Sequence, residues 1–150
     1  MKDTIVDILL VEDNPNDAEL AIHALKRHRL ANRLHWVKDG VEALDYIFFR
    51  DTYSDRNPEL PRVILLDLRL PKLDGIQVLT EIRSNEKTRD IPVVVLTSSK
   101  EDKDLINTYR LGINSFVPKP VIFNDFIHVV SDLGLYWVLV NRVPPQIRAD

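Results

Sequence analysis

The chain has no cysteine in its 150 residues, one methionine and only four glycines. Without thiols there is no disulfide scaffold, no thiolate metal site and no cysteine nucleophile, and the composition suits a reducing compartment. No glycine-rich phosphate loop ending in Lys-Ser/Thr occurs, and neither does a G-x-S-x-G elbow or an H-E-x-x-H string. Basic excess is also missing: 20 Lys and Arg face 23 Asp and Glu, a formal charge of −3. That balance argues against a nucleic-acid partner held by phosphate neutralisation. No apolar run approaches the ~18 residues needed to span a bilayer. The N-terminal apolar stretch is interrupted by Asp7 and closed by Glu12-Asp13, too early for a signal core. These absences predict a cytoplasmic protein with neither a membrane nor a nucleic-acid partner. At roughly 100–200 residues per domain, one domain is expected, with a core over about residues 5–140 and a short tail at 141–150.

Short apolar runs alternate with stretches of helical period. Residues 5–11 are rich in branched side chains and end on two carboxylates, which reads as a buried strand. Asn14 then caps a helix that opens with Pro15 and carries Leu20, Ile22, Leu25 and Leu30 on its apolar side. Residues 34–37 read as a second strand, and Asp39-Gly40 as the turn into a helix bearing Val41, Leu44, Ile47 and Phe48. Residues 50–61 are polar and rich in Asp and Pro, an exposed loop. Residues 62–67 form a central strand ending at Asp67, followed by a helix bearing Ile76, Leu79 and Ile82. Residues 91–96 are a further strand ending at Thr97, and Ser98 with Glu101 has capping-box spacing for a fourth helix bearing Leu105, Ile106 and Tyr109. Residues 115–117 form a short last strand, and a fifth helix is expected from about 123 to 140. Five strands alternating with five helices imply an α/β fold, a doubly wound parallel sheet covered on both faces.

In such a sheet ligands sit beyond the carboxyl ends of the strands. The residues there are Glu12 and Asp13, Asp67, Thr97 and Lys119. Each has an ordinary structural reading: the acids and Thr97 as strand ends or helix caps, Lys119 as a solvated loop lysine. Jointly, those readings would all have to fall on one edge of one sheet. Three converging carboxylates repel unless a cation compensates, and oxygen-only donors favour Mg²⁺. His23, His28, His35 and His128 have no paired ligand spacing and read as surface or half-buried side chains. The set supports phosphoryl transfer to a carboxylate. Asp67 acts as in-line nucleophile, Glu12, Asp13 and Asp67 hold Mg²⁺, Lys119 supplies fixed positive charge, and the Thr97 hydroxyl bonds a phosphoryl oxygen.

Four strings carry a family resemblance: Leu9-Leu10-Val11-Glu12-Asp13-Asn14, Leu66-Asp67-Leu68-Arg69-Leu70-Pro71 with Asp74-Gly75, Val95-Leu96-Thr97-Ser98-Ser99, and Phe116-Val117-Pro118-Lys119-Pro120. In that order and spacing, over about residues 5–140, the chain resembles the response regulator receiver domain. The resemblance implies the flavodoxin-like sheet order 2-1-3-4-5, Asp67 as phosphoacceptor, a Mg²⁺ contact from the Arg69 backbone carbonyl and a cis peptide before Pro120. It also implies a switch in which Thr97 draws toward the phosphoryl group and Phe116 turns inward behind it, changing the surface of the fourth helix, fifth strand and fifth helix. A fixed core position is the alternative for Phe116. The implied partner is a sensor histidine kinase. The insertion at 50–61 and the tail Leu135-Tyr136-Trp137 with Asn141-Arg142-Val143-Pro144 further resemble the small response regulators paired with bacterial and cyanobacterial phytochromes.

Two departures bear on the site and its setting: Arg69 stands two residues past Asp67, and Pro118 lies within the last strand, which is tolerable at a sheet edge. The chain closes soon after the fifth helix, so no DNA-binding or enzymatic output domain is expected. That helix is apolar all round in its second half, which predicts a homodimer through the fourth helix, fifth strand, fifth helix and C-terminal segment. Two other functions compete. One is a phosphorylation-independent interaction module; the other is a Mg²⁺-dependent phosphatase, which needs an acid/base Asp where Arg69 stands. The expected role is a phosphoacceptor whose chemistry is limited to its own phosphorylation and dephosphorylation, not a turnover enzyme.

Overall fold

The computed structural model describes residues 7–27, 33–97, 104, 113 and 115–132. Five parallel strands, β1 (Ile8–Val11), β2 (Leu34–Val37), β3 (Val63–Asp67), β4 (Val93–Thr97) and β5 (Phe116–Pro118), form one sheet in the order β2-β1-β3-β4-β5. This is the flavodoxin-like order 2-1-3-4-5. The described helices are α1 (Pro15–Lys26), α2 (Gly40–Ile47), α3 (Gly75–Ser84) and α4 (Phe123–Asp132), with a 3-10 turn at Asp51–Tyr53. The helix expected at Leu105, Ile106 and Tyr109 lies outside the described residues, as do residues 133–150 and Leu30.

Alternation along the strands splits the core in two. Leu9, Val11, Ile64, Leu66, Val93 and Val95 face α2 and α3, where they meet Leu44, Ile47, Leu79 and Ile82. Ile8, Leu10, Val63, Leu65, Val94, Leu96 and Val117 face α1 and α4, where they meet Ala18, Ala21, Leu25, Phe126 and Val130. Both faces of the central strands are buried, which is why they read as unbroken apolar runs and not as alternating ones. Pro118 is accommodated on the edge strand β5, where it is exposed.

Several local expectations are corrected. Leu20 is 51% exposed; small residues, Ala18 and Ala21, share the buried stripe of α1 with Leu25 and let the helix lie close on the sheet. Val41 is likewise exposed. Gly40 is the first residue of α2, and Asp39 is its cap, accepting from Glu42 N at 2.7 Å. A Cβ on Gly40 would lie 2.0 Å from the Leu73 carbonyl oxygen, so glycine is required by the loop packed against it. The polar stretch at 50–61 is not a simple exposed loop. Arg56 is half-buried, its guanidinium 3.9 Å from the Tyr46 ring centre and 4.2 Å from that of Phe49, and it donates to the carbonyls of Tyr46, Asn57 and Glu59. Tyr53 donates to Glu42 at 2.8 Å and meets His35 Nε2 at 3.0 Å. Burial pushes the His35 imidazole below its ordinary value, with Glu42 opposing and Arg56 adding to the shift. The remaining described histidines, His23 and His128, are on the surface.

Candidate functional site

Strand register brings the expected residues to one rim. Val11 pairs with Leu66, Asp67 with Leu96, and Thr97 with Pro118. Glu12 therefore follows β1 beside the end of β3, and Lys119 follows β5 beside Thr97. The Lys119 amide donates to the Thr97 carbonyl at 2.8 Å, and the Glu12 amide to that of Val37 at 3.1 Å. The Lys119-Pro120 peptide is cis.

Lys119 is the hub. Its Nζ lies 3.0 Å from Asp67 Oδ2, 3.2 and 3.4 Å from the two oxygens of Glu12, and 3.0 Å from Asp17 Oδ2. Burial alone would push this ammonium down. Hydrogen bonds that it donates to Asp17 and Asp67, with the charges of Asp67 and Glu12, outweigh it and hold Lys119 well above its usual range. Asp67 Oδ1 accepts from the Arg69 amide at 3.1 Å, while the Arg69 side chain is exposed. Thr97 is buried at the end of β4. Phe116 is half-buried at the start of β5 and packs on the core layer under α2 and α3.

Glu12 is only 1% exposed. Its Oε2 accepts from the Asn14 amide at 3.1 Å, whereas Oε1 makes its 3.2 Å ion pair with Lys119 outside hydrogen-bond geometry and is otherwise unsatisfied. Burial, then the hydrogen bond and charge of Asp67, push this carboxyl up to about 7; Asn14 and Lys119 oppose them. The Lys119 ammonium alone does not offset that upward push.

Glu12, Asp13 and Asp67 each offer a carboxylate oxygen, all within 4.8 Å of one another among the described residues. Asp13 is exposed at the opening. Three hard oxygen donors, one on the outside, with a buried oxygen short of a partner, fit a divalent ion that keeps several waters, as Mg²⁺ does.

Sequence reasoning missed Asp17. It stands in the first turn of α1, where an acid is an ordinary helix-dipole residue, so nothing in its type singled it out. The signal was its place: α1 starts directly after Glu12-Asp13, so its first turn borders the same rim.

An open parallel sheet with carboxylates and a lysine gathered beyond its strand ends defines an α/β domain with an acidic rim. The response regulator receiver domain family matches residues 8–131, and the chain belongs to it. It is 44% identical over 137 residues to the probable methanogenesis regulatory protein FilR2 of Methanothrix harundinacea, covering 91% of this chain and 86% of that one. The structure of the bacteriophytochrome response regulator AtBRR is similar with a TM-score of 0.83 and 50% identity, over 90% of this chain and 96% of that one. The Mn(2+)-bound form of response regulator Rcp1, a protein of Synechocystis, matches with a TM-score of 0.69 and 36% identity, over 91% and 96% of the two chains. Receiver domains are phosphorylated by histidine kinases and bind Mg²⁺ or Mn²⁺ at an acidic pocket.

Proposed function

We propose that this chain is a phosphoacceptor signalling protein that takes a phosphoryl group from a sensor histidine kinase onto Asp67. The observation that carries this reading is the Lys119 ammonium, 3.0 Å from Asp67 Oδ2 and beside the acidic trio Glu12, Asp13 and Asp67. An Asp67 oxygen attacks phosphorus in line, the bond from phosphorus to the histidine nitrogen breaks, and its electron pair stays on the imidazole. Glu12, Asp13, Asp67 and the Arg69 carbonyl would hold Mg²⁺, which when bound offsets charge on the phosphoryl oxygens. Lys119 donates to a phosphoryl oxygen, and the Thr97 hydroxyl to another. Phe116, three residues before Lys119, then changes its packing and alters the surface of β5 and the flanking helices. Arg69 supplies no acid/base group, which supports a phosphoacceptor over a turnover phosphatase.

Exposed Leu20 and Ile122 flank a cavity of about 330 Å³ between α1 and the segment after β5, lined also by His23 and Pro120. Leu20 is one helical turn from Asp17, so a kinase domain docked there brings its phosphohistidine to the rim. The likeness to AtBRR supports a phytochrome-type kinase as the donor and, with that kinase, a cytoplasmic setting. Homodimerisation through the fourth helix, fifth strand, fifth helix and C-terminal segment rests on the apolar sequence at 133–140, and size-exclusion chromatography with and without phosphorylation tests it. A monomer in both states ends that part of the proposal.

The central test is intact-mass spectrometry after incubation with Mg²⁺ and acetyl phosphate, alongside Asp67→Asn. The expected result is one phosphoryl increment that needs Mg²⁺ and is absent in the variant. No increment in a folded wild-type chain, with acetyl phosphate and with a phosphorylated kinase alike, leaves the interaction-module reading in its place.

A further inference from the structure

The geometry points to Asp17 as a positioning residue that competes with the phosphoryl group for Lys119 and so shortens the life of the phosphorylated state. This inference rests on the phosphoacceptor reading above. A lysine ammonium has three N–H donors. Here three carboxylates surround it: Asp67 and Asp17 at 3.0 Å each, and Glu12 at 3.2 and 3.4 Å. No donor is left over for an incoming phosphoryl oxygen. Once Asp67 is phosphorylated, Lys119 can move its Asp67 bond to the phosphoryl group, but Asp17 still draws the ammonium toward α1.

Charge counting agrees. Glu12, Asp13 and Asp67 carry three negative charges, which a divalent ion and Lys119 together balance. Asp17 stands outside that cation-binding trio and leaves the rim one negative charge in excess. That excess disfavours a doubly negative phosphoryl group and favours its loss. In the loss step, water attacks phosphorus, the phosphorus–oxygen bond to Asp67 breaks, and its electron pair returns to the carboxylate. One proton of the water passes to solvent.

Asp17 is about 30% exposed on the first turn of α1, so an isosteric change leaves the core untouched. The test compares wild type with Asp17→Asn, Asp17→Glu and Glu19→Gln. Glu19 is an exposed acid of the same helix. Two quantities are read in Mg²⁺: the half-life of phosphorylated Asp67 after acetyl phosphate is removed, and the affinity for beryllofluoride followed by tryptophan fluorescence. Asp17→Asn is expected to lengthen the half-life and tighten beryllofluoride by about two- to fivefold, the range of a partly exposed ion pair. Asp17→Glu returns both toward wild type, and Glu19→Gln changes neither. Equal values for Asp17→Asn and wild type overturn the inference, as does an effect of Glu19→Gln as large as that of Asp17→Asn. A wild-type chain that takes up neither acetyl-phosphate phosphorus nor beryllofluoride overturns the phosphoacceptor reading and this inference with it.

Discussion

The indole N–H of Trp36 donates to the main-chain carbonyl of Glu12 at 2.8 Å, tying β2 to the first residue of the acidic rim. Lys38 Nζ lies 5.0 Å from the same ring. Trp36 should therefore report on the rim. In a Trp137→Phe background, which leaves Trp36 as the lone tryptophan, its fluorescence is expected to change saturably with Mg²⁺. Asp13→Asn should weaken that response. Trp36→Phe keeps an aromatic ring but loses the hydrogen bond, and is expected to cost about 1 kcal/mol in urea denaturation. A Mg²⁺ titration that leaves the Trp36 signal flat, in protein shown calorimetrically to bind the ion, removes this coupling.

Glu12 makes the rim pH-sensitive. Its carboxyl is raised in the folded chain to about 7 from 4.5. Between those values the folded state holds a proton that the unfolded state has released, so metal-free stability falls as pH rises through that window. Divalent binding needs the carboxylate and displaces the proton. Below about pH 7, calorimetry should show affinity for Mg²⁺ rising up to about tenfold per pH unit, then levelling above it. His35 contributes the opposite slope: its value is lowered by burial, so its stabilisation is present above the ordinary value of 6.5 and lost as pH falls below it. Glu12→Gln removes the first slope and leaves the second, so melts of the two proteins in EDTA from pH 5 to 8 separate them. Parallel curves mean that Glu12 does not titrate in this range.

Gly40 and Gly75 clamp the loop that follows Asp67. A Cβ on Gly40 would lie 2.0 Å from the Leu73 oxygen, and one on Gly75 2.4 Å from the Leu68 Cα, both backbone atoms that a side-chain rotation cannot move aside. Alanine gains ~1 kcal/mol of helix propensity at such positions. The forced shift outweighs it, and a net loss on the order of 2 kcal/mol is expected for Gly40→Ala. Because the displaced loop leads from Asp67, phosphorylation by acetyl phosphate should slow as well. A Gly40→Ala protein as stable as wild type in urea means the loop yields freely.

The elements and the rim were legible for one reason: buried parallel strands are short branched runs, and β1, β3, β4 and β5 end on or near polar residues that the topology gathers. Glu12, Asp13, Asp67, Thr97 and Lys119 could be named without coordinates because an open sheet has only one such edge. What was not legible depends on approach between elements. Leu20 looked buried because it shares the apolar period of Ile22 and Leu25, yet the contact stripe of α1 runs through alanines. Asp17 looked like a helix-terminal acid until β5 delivered Lys119 beside it. Gly40 looked like a turn residue, and only the Leu73 carbonyl shows why no larger side chain fits.

Arg56 is the clearest misreading, since a polar residue among Asp, Asn and Pro gave no sign that it plugs an aromatic pocket. Its guanidinium lies over Tyr46 and Phe49 and donates to three main-chain carbonyls, at 2.8 Å to Tyr46, 2.6 Å to Asn57 and 3.0 Å to Glu59. Those bonds run forward along the insertion and back to α2, so one side chain fastens residues 56–59 to the domain. Arg56→Ala loses the stacking and leaves the Tyr46 carbonyl short of a donor, an expected cost of about 2–3 kcal/mol. Arg56→Lys keeps the charge but not the planar fork, and should recover less than half of the loss. Hydrogen exchange locates the effect: amides of 53–59 should exchange faster in Arg56→Ala while those of β1 and β3 slow or quicken only with global stability. Unchanged exchange across 53–59 would mean that Tyr53, through its bonds to Glu42 and His35, holds the insertion without Arg56.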